Sequence, residues 1–268
     1  MANYETILPQ ELYPEPENLK IIDVRSPSEY AHGHIPEAVN LPLFNDEERA
    51  TVGTTYIQKN AQEALLQGLD IAGKKMRRIV EEALIIGKNK PTVIYCWRGG
   101  MRSKSMAWLL NFAGLELKVL KGGYKAYRNM VLQGFTQPEI NLLGGFTGSG
   151  KSDLLKELHA LGEQIIDLEA IAQHRGSAFG GLGKPKQNGS EQFENNLFRE
   201  WSKLDKSKPV WLEDECFSIG SVNIPYPLYL RMKKANLYFL RVPFEKRINQ
   251  LVEEYGKFPY PEIGRAHV

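Results

Sequence analysis

Two short stretches of the sequence carry residue types whose spacing suits the handling of anions. In "YCWRGGMRS", residues 95–103, one of only two cysteines in the chain stands before paired glycines and between arginines. The β-formers Val93, Ile94 and Tyr95 precede it and a helical pattern stopped by Gly114 follows it, so Cys96 falls on a strand-to-helix turn. Backbone N–H groups of such a loop and of the first helical turn lack intrahelical partners, which makes a cradle for a thiolate or a persulfide. Arg98 and Arg102 add positive charge that, with the helix N-terminus, lowers the thiol pKa. The competing reading is a small apolar side chain ending a buried strand. The glycines favour the reactive reading, because they let the backbone curl around the sulfur.

The second stretch, "GGFTGSGKSD", contains Gly145, four residues, then Gly150, Lys151 and Ser152, the complete phosphate-loop pattern between an apolar strand and a helix. Gly145, Gly148 and Gly150 let backbone N–H groups wrap a phosphate, Lys151 neutralises its β or γ oxygens, and Ser152 can hold Mg²⁺. Such a loop usually works with a carboxylate at the end of a neighbouring strand. "VWLEDE" supplies Glu213, Asp214 and Glu215, and Asp167 with Glu169 follow "QII"; Asp214 is the first choice for the metal, and each carboxylate also reads as a solvated strand end. "QHRGSAFGGLGKPKQ" sets His174, Arg175, Lys184 and Lys186 on a glycine-rich loop. Such a loop suits a diphosphate, with Arg175 as a phosphate ligand, or is an ordinary charged surface loop. Cys216, without flanking cations or glycines, reads as core.

The elements that must position these residues follow an α/β rhythm. A strand at 19–24, a turn-rich segment with Pro27, Gly33 and Pro36, and a strand at 38–41 lead into helical patterns over 60–86. Strand 92–96, helix 101–112 and strand 116–123 then alternate, which implies a parallel sheet with helices on both faces. "QGFTQPEI" at 133–140 reads as a linker, after which a second α/β series begins. The domains are therefore 1–134 and 139–261. The last seven residues, "EIGRAHV", reverse-translate to a common sequencing-adapter oligonucleotide. Residues 262–268 are thus expected to be a non-native tail, and the second domain to be truncated near Pro261.

Composition narrows the classes. An apolar fraction of 42% with 34 basic and 32 acidic residues, formal charge +2, is ordinary for a soluble globular protein, so any RNA site is a local patch. Candidates are Lys121, Lys125 and Arg128, and Lys203, Lys206 and Lys208, all equally readable as solvated faces. Without an exported leader or an apolar run of membrane-spanning length, the expected location is the cytoplasm. Two isolated cysteines make neither a disulfide framework nor a zinc site.

"IIDVRSPSEYAHGHIPEAVNLP", "YCWRGGMRS" and "KGGYKAYR" resemble the three segments of a rhodanese-type sulfurtransferase domain, with Cys96 in the persulfide-carrying position. Joined to a phosphate-loop domain with "DLEAIAQHRGSAFG" and "WLEDE", they resemble the tRNA 2-selenouridine synthase family over nearly all of residues 5–260. The resemblance implies a rhodanese-like parallel-sheet domain followed by a P-loop NTPase-like α/β domain. It implies geranylation of the wobble 2-thiouridine of tRNA from geranyl diphosphate, then displacement of the S-geranyl group by selenium from selenophosphate. By that likeness Cys96 serves selenium transfer, with Arg98 and Arg102, and the phosphate-loop domain serves the geranyl step with Mg²⁺. The implied partners are tRNA and an enzyme supplying selenophosphate, with the protein a monomer that contacts no membrane. Cys216 and Phe217 stand where the family has serine and arginine. The alternatives are a rhodanese-type sulfurtransferase with a nucleotide-binding regulatory domain, a non-catalytic RNA-binding scaffold, and kinase-like phosphoryl transfer.

Overall fold

The computed structural model describes residues 4–13, 18–177 and 179–258. The chain divides into two compact units, Met1–Met130 and Val131–Val268. The tail expected at 262–268 lies outside the described residues.

In chain order the first unit comprises β1 (Glu5–Ile7), β2 (Lys20–Asp23), α1 (Pro27–His32), β3 (Val39–Asn40), α2 (Asp46–Gln58), α3 (Ala61–Gly73), α4 (Met76–Ile86), β4 (Thr92–Tyr95), α5 (Met101–Phe112) and β5 (Leu117–Leu120); α6 (Gly123–Gln133) follows. Its sheet is parallel throughout, in the order β1-β5-β4-β2-β3. Every residue of β4 is buried, as a parallel strand covered on both faces requires. The core gathers Ile22, Val24, Leu41, Ile79, Ala83, Ile94, Met106, Leu110 and Val119, with Cys96 at its edge. Helix α2 was not anticipated from apolar spacing, and the structure shows why: none of its residues is buried. A reciprocal cap starts it, with Glu48 N–H donating to Asn45 Oδ1 and Asn45 N–H to Glu48 Oε2, both at 2.8 Å.

A buried ion pair follows β2. Arg25 Nη2 and Asp23 Oδ2 are 2.6 Å apart at 1% and 0% exposure. The guanidinium also donates to Gly33 O at 2.7 Å and lies 4.0 Å from the Tyr124 ring centroid. Burial works against the Arg25 charge, yet the Asp23 carboxylate holds its pKa above the ordinary value.

The second unit contains β6 (Ile140–Gly145), α7 (Lys151–Ala160), β7 (Gln164–Ile166), α8 (Leu168–Ala172), α9 (Ser190–Ser202), β8 (Val210–Glu213), the ribbon β9 (Ser218–Ile219) and β10 (Val222–Asn223), α10 (Tyr226–Met232), β11 (Asn236–Leu240) and α11 (Phe244–Tyr255). Its main sheet is parallel, in the order β11-β6-β8-β7. The segment read as a linker is a packed part of this unit. Phe135 is 1% exposed and meets Phe198 and Trp201 edge-on. Trp201 Nε1 donates to Gln137 O at 2.6 Å, and Arg231 donates to Phe135 O and to Pro138 O. Gly134 and Pro138 flank a turn at 135–136, and the buried apolar Phe135 anchors it. No helix among the described residues is long and apolar enough to cross a membrane.

Candidate functional site

Cys96 lies at the C-terminal end of β4, one residue past the strand, and is 3% exposed. The loop to α5 closes around it because glycine stands at two positions of close approach. A Cβ on Gly99, at φ +63°, would sit 2.7 Å from Leu120 O. One on Gly123, at φ +61°, would sit 2.3 Å from Cys96 O and 2.4 Å from Gly99 N. That approach lets Tyr124 N–H donate to Cys96 O and Lys125 N–H to Trp97 O, both at 2.9 Å. The segment after β5 thus braces the cysteine loop.

Burial pushes the thiol pKa up, but the surroundings outweigh it and the net shift is downward. The Ser103 hydroxyl, 3.2 Å from Sγ, contributes most to the lowering, followed by the Ser103 N–H, the charge of Arg102 and the Gly100 N–H. The arginines therefore matter less than their flanking positions suggest. Arg102 Nη1 is held by Glu29 Oε2 at 2.8 Å, and Arg98 is exposed on the rim. Burial raises the Glu29 carboxyl, but Arg102 wins and holds it below the ordinary carboxylate range. Ser103 and Glu29 are site residues that residue spacing around the cysteine did not single out. The S-x-x-E pattern at Ser26–Glu29, where Glu29 Oε2 accepts from Ser26 N–H at 3.2 Å, marks the helix start that presents the carboxylate.

In the second unit the phosphate loop joins β6 to α7. Gly148 and Gly150 have φ of +76° and +78°, and Gly150 caps α7 in the left-handed conformation. Gly145 ends β6, and a Cβ there would meet Ser149 Oγ at 2.5 Å. Lys151 Nζ donates to Gly145 O at 3.1 Å, which lays the ammonium across the loop. A cavity of about 610 Å³ opens on this loop, lined by residues that include Gly148, Gly150, Lys151, Ser152, Asp167, Glu169, Arg175, Lys184 and Glu215. Helix α11 completes the wall with Gln250, Glu253 and Tyr255. Arg175 donates to Leu182 O at 3.1 Å and sits 5.7 Å from the Tyr255 ring, so its cation is fixed at the cavity edge. Lys184 lines the cavity; His174 and Lys186 are not part of its lining.

The carboxylates are arranged differently from the expectation. Asp214 is exposed and does not line the cavity; Glu215 does. Glu213 is fully buried, its Oε2 accepting from Leu168 N–H at 3.0 Å, so alternation along the extended chain turns Asp214 away and Glu215 inward. Glu215 and Glu169 share a hydrogen bond. Burial and the Glu169 charge push Glu215 up to about 7. Burial likewise raises Glu169, with Lys151 opposing. Asp167 is a helix cap, its Oδ1 accepting from Ala170 N–H at 2.7 Å. Cys216, read as core, is exposed, since the chain has left the sheet there.

For Mg²⁺ the fit rests on hard oxygen donors. Ser152 Oγ lies 3.5 Å from Glu169 Oε2, and the buried Ser149 Oγ has no partner. No group of three or more His, Cys, Asp or Glu that could hold a metal occurs among the described residues. The hydroxyl of Ser152 and the carboxylates of Glu169 and Glu215 are oxygen donors of the kind that Mg²⁺ takes together with substrate phosphates.

Comparison with known proteins bears on both units. A family model described as the tRNA 2-selenouridine synthase AAA domain matches residues 138–264, and the rhodanese-like domain model matches residues 8–130. In chain order, the sequence matches the rhodanese-like domain model and then the tRNA 2-selenouridine synthase AAA domain model. It is similar to a tRNA 2-selenouridine synthase of Bdellovibrio bacteriovorus, 38% identical over 89% of this chain and 65% of the relative. One from Nitrosomonas europaea is 35% identical over 88% of this chain and 63% of the relative. The chain thus spans a little under two thirds of the length of these curated relatives. Among solved structures, a rhodanese-related protein from Thermoplasma volcanium is 20% identical, covering 47% of this chain and 92% of its own, with a TM-score of 0.31.

Proposed function

We propose that the chain is a tRNA-modifying transferase that replaces sulfur by selenium at C2 of wobble 2-thiouridine, through an S-geranyl intermediate formed from geranyl diphosphate. The observation that carries this reading is the pairing, in one chain, of a braced thiol loop with a phosphate loop; similarity over 88–89% of the chain to relatives named tRNA 2-selenouridine synthase supports it. In the geranyl step the tRNA sulfur attacks the prenyl carbon, the carbon–oxygen bond breaks, and diphosphate leaves with the electron pair. Lys151, Arg175 and the amides of the Gly148–Gly150 loop hold that leaving group. Bound Mg²⁺ would add charge neutralisation at the same oxygens, held by Ser152 with Glu169 or Glu215. In the second step selenium delivered from selenophosphate bonds to C2, the C2–S bond breaks, and geranyl thiolate leaves with the electron pair and takes up a proton; the P–Se bond breaks with the phosphoryl group passing to water as phosphate. Cys96, its pKa lowered by Ser103 and Arg102, serves the transfer from selenophosphate. The working form is a cytoplasmic monomer, supplied by a selenophosphate-forming enzyme.

The test is mass analysis of the wobble nucleoside after incubating 2-thiouridine tRNA with geranyl diphosphate, Mg²⁺ and selenophosphate. Geranylated nucleoside is expected to accumulate with Cys96→Ala and to vanish with Lys151→Ala. Sulfur transfer from thiosulfate alongside ATP turnover, with no change in the nucleoside, would instead support a sulfurtransferase with a regulatory nucleotide domain.

A further inference from the structure

The rim of the Cys96 loop has a composition unlike the rest of the chain. Residues 96–105 and 120–130 contain Arg98, Arg102, Lys104, Lys121, Lys125 and Arg128 and no Asp or Glu, although acidic and basic residues nearly balance overall. Arg98, Lys104, Lys121 and Lys125 are exposed. Backbone hydrogen bonds hold these positions to the loop itself: Lys125 N–H donates to Trp97 O at 2.9 Å and Lys104 N–H to Gly100 O at 3.1 Å. In their midst, directly after the thiol, stands Trp97. It is 38% exposed, and its ring is supported from one side by Tyr124 at 5.8 Å and an interplanar angle of 50°.

We propose that Trp97 is the platform on which a single-stranded RNA base stacks at the rim of the Cys96 loop, while Arg98, Lys104, Lys121 and Lys125 hold the flanking phosphates. The inference deepens the tRNA reading above and rests on it. Chemistry on a nucleobase requires the base to be unstacked from its neighbours, and a wide aromatic face recovers the lost stacking. Two segments with six cations and no carboxylate of their own, one cation of which is paired to Glu29, fit a polyanion with flat bases better than a protein surface, whose partner patches mix both signs. Trp97 follows the thiol in the loop and packs on Tyr124 rather than in the core cluster that holds Cys96, so a base on its ring lies at the rim of that loop. Trp97 is thus a positioning residue. Trp108, inside α5, 52% exposed and stacked on Phe112 at 6.1 Å, is the natural control.

The test is fluorescence anisotropy of a labelled anticodon stem-loop RNA, with 2-thiouridine at the wobble position, titrated with the full chain. Trp97→Ala is expected to weaken binding about tenfold, Trp97→Phe to recover most of it, and Trp108→Ala to match wild type. Lys125→Ala is expected to reduce the slope of log affinity against log salt by about 0.7, one single-strand phosphate contact. Trp97→Ala binding like wild type would overturn the inference while leaving the tRNA reading intact, as would equal losses for Trp97→Ala and Trp108→Ala. A wild-type chain that binds no stem-loop would sink the tRNA reading itself, and this inference with it. Ultraviolet cross-linking of the thiolated base gives a second readout: the adduct belongs on the peptide carrying Trp97, and an adduct only elsewhere refutes the placement.

Discussion

Replacing Ser103 by alanine isolates the main support of the Cys96 thiolate. The hydroxyl is buried, lies 3.2 Å from Sγ, and also reaches Gly100 O at 3.2 Å. A hydrogen bond to a charged group contributes about 1.5–3 kcal/mol, so its loss would move the thiol pKa back up. The Ser103 hydroxyl also reaches Gly100 O, and the Ser103 N–H survives the substitution, so the lower end of that range is expected. The assay is the rate of iodoacetamide alkylation against pH in a Cys216→Ser background, because Cys216 is exposed and would react as well. Thiolate is the reacting form, so the inflection should move to higher pH and the rate at pH 7 should fall, by up to about tenfold for the lower end of that range. Arg102→Ala should move the inflection less, since Glu29 already shares that charge. An unchanged inflection in Ser103→Ala, with an unchanged melting temperature, would refute the account of how this thiol is activated.

Further outcomes follow from burial, backbone geometry and the paired carboxyls. Arg25→Ala leaves Asp23 buried without its cation, and a loss of about 3–5 kcal/mol is expected in urea unfolding of the first unit. Gly123→Ala places a Cβ 2.3 Å from Cys96 O at a left-handed φ, so it should cost more than the roughly 1–2 kcal/mol of that conformation alone and slow Cys96 alkylation together with the loss of stability. Glu215 has a folded pKa raised to about 7, above its unfolded value. For an acid shifted upward, stability is highest below the unfolded pKa and falls as pH rises toward 7. Glu215→Gln should therefore raise the melting temperature at pH 8 relative to wild type and leave it nearly equal at pH 4; a constant difference across pH would count against the shared proton.

The two loops were legible because their information is local. Gly145, Gly150, Lys151 and Ser152 form one turn, and Cys96, Gly99 and Gly100 another, so spacing alone carried the geometry. What the loops meet was not legible. Ser103 reaches the thiol from inside α5, Glu29 reaches Arg102 from another element, and Gln250, Glu253 and Tyr255 reach the phosphate loop through the packing of α11. The preference for Asp214 over Glu215 was a choice between adjacent carboxylates. Two-residue alternation settles it only once Glu213 is known to point inward. Helix α2 shows the complement: with no buried side chain it lacks the periodic signal, and only its cap announces it.

The brace from Gly123–Lys125 onto Cys96 and Trp97 gives the thiol a property beyond acidity. The carbonyls it engages belong to the cysteine loop, while its donors follow β5, the next strand of the sheet. A chain that has made β4 and α5 but not yet docked β5 already has the groups that lower the thiol pKa, since Ser103, Arg102 and Gly100 belong to the loop and its helix. What β5 docking adds is position: the Gly123–Lys125 donors fix the carbonyls on either side of the sulfur and so hold the loop closed around it. Acidity is thus a local property of the loop, while placement of the sulfur is a property of the assembled sheet.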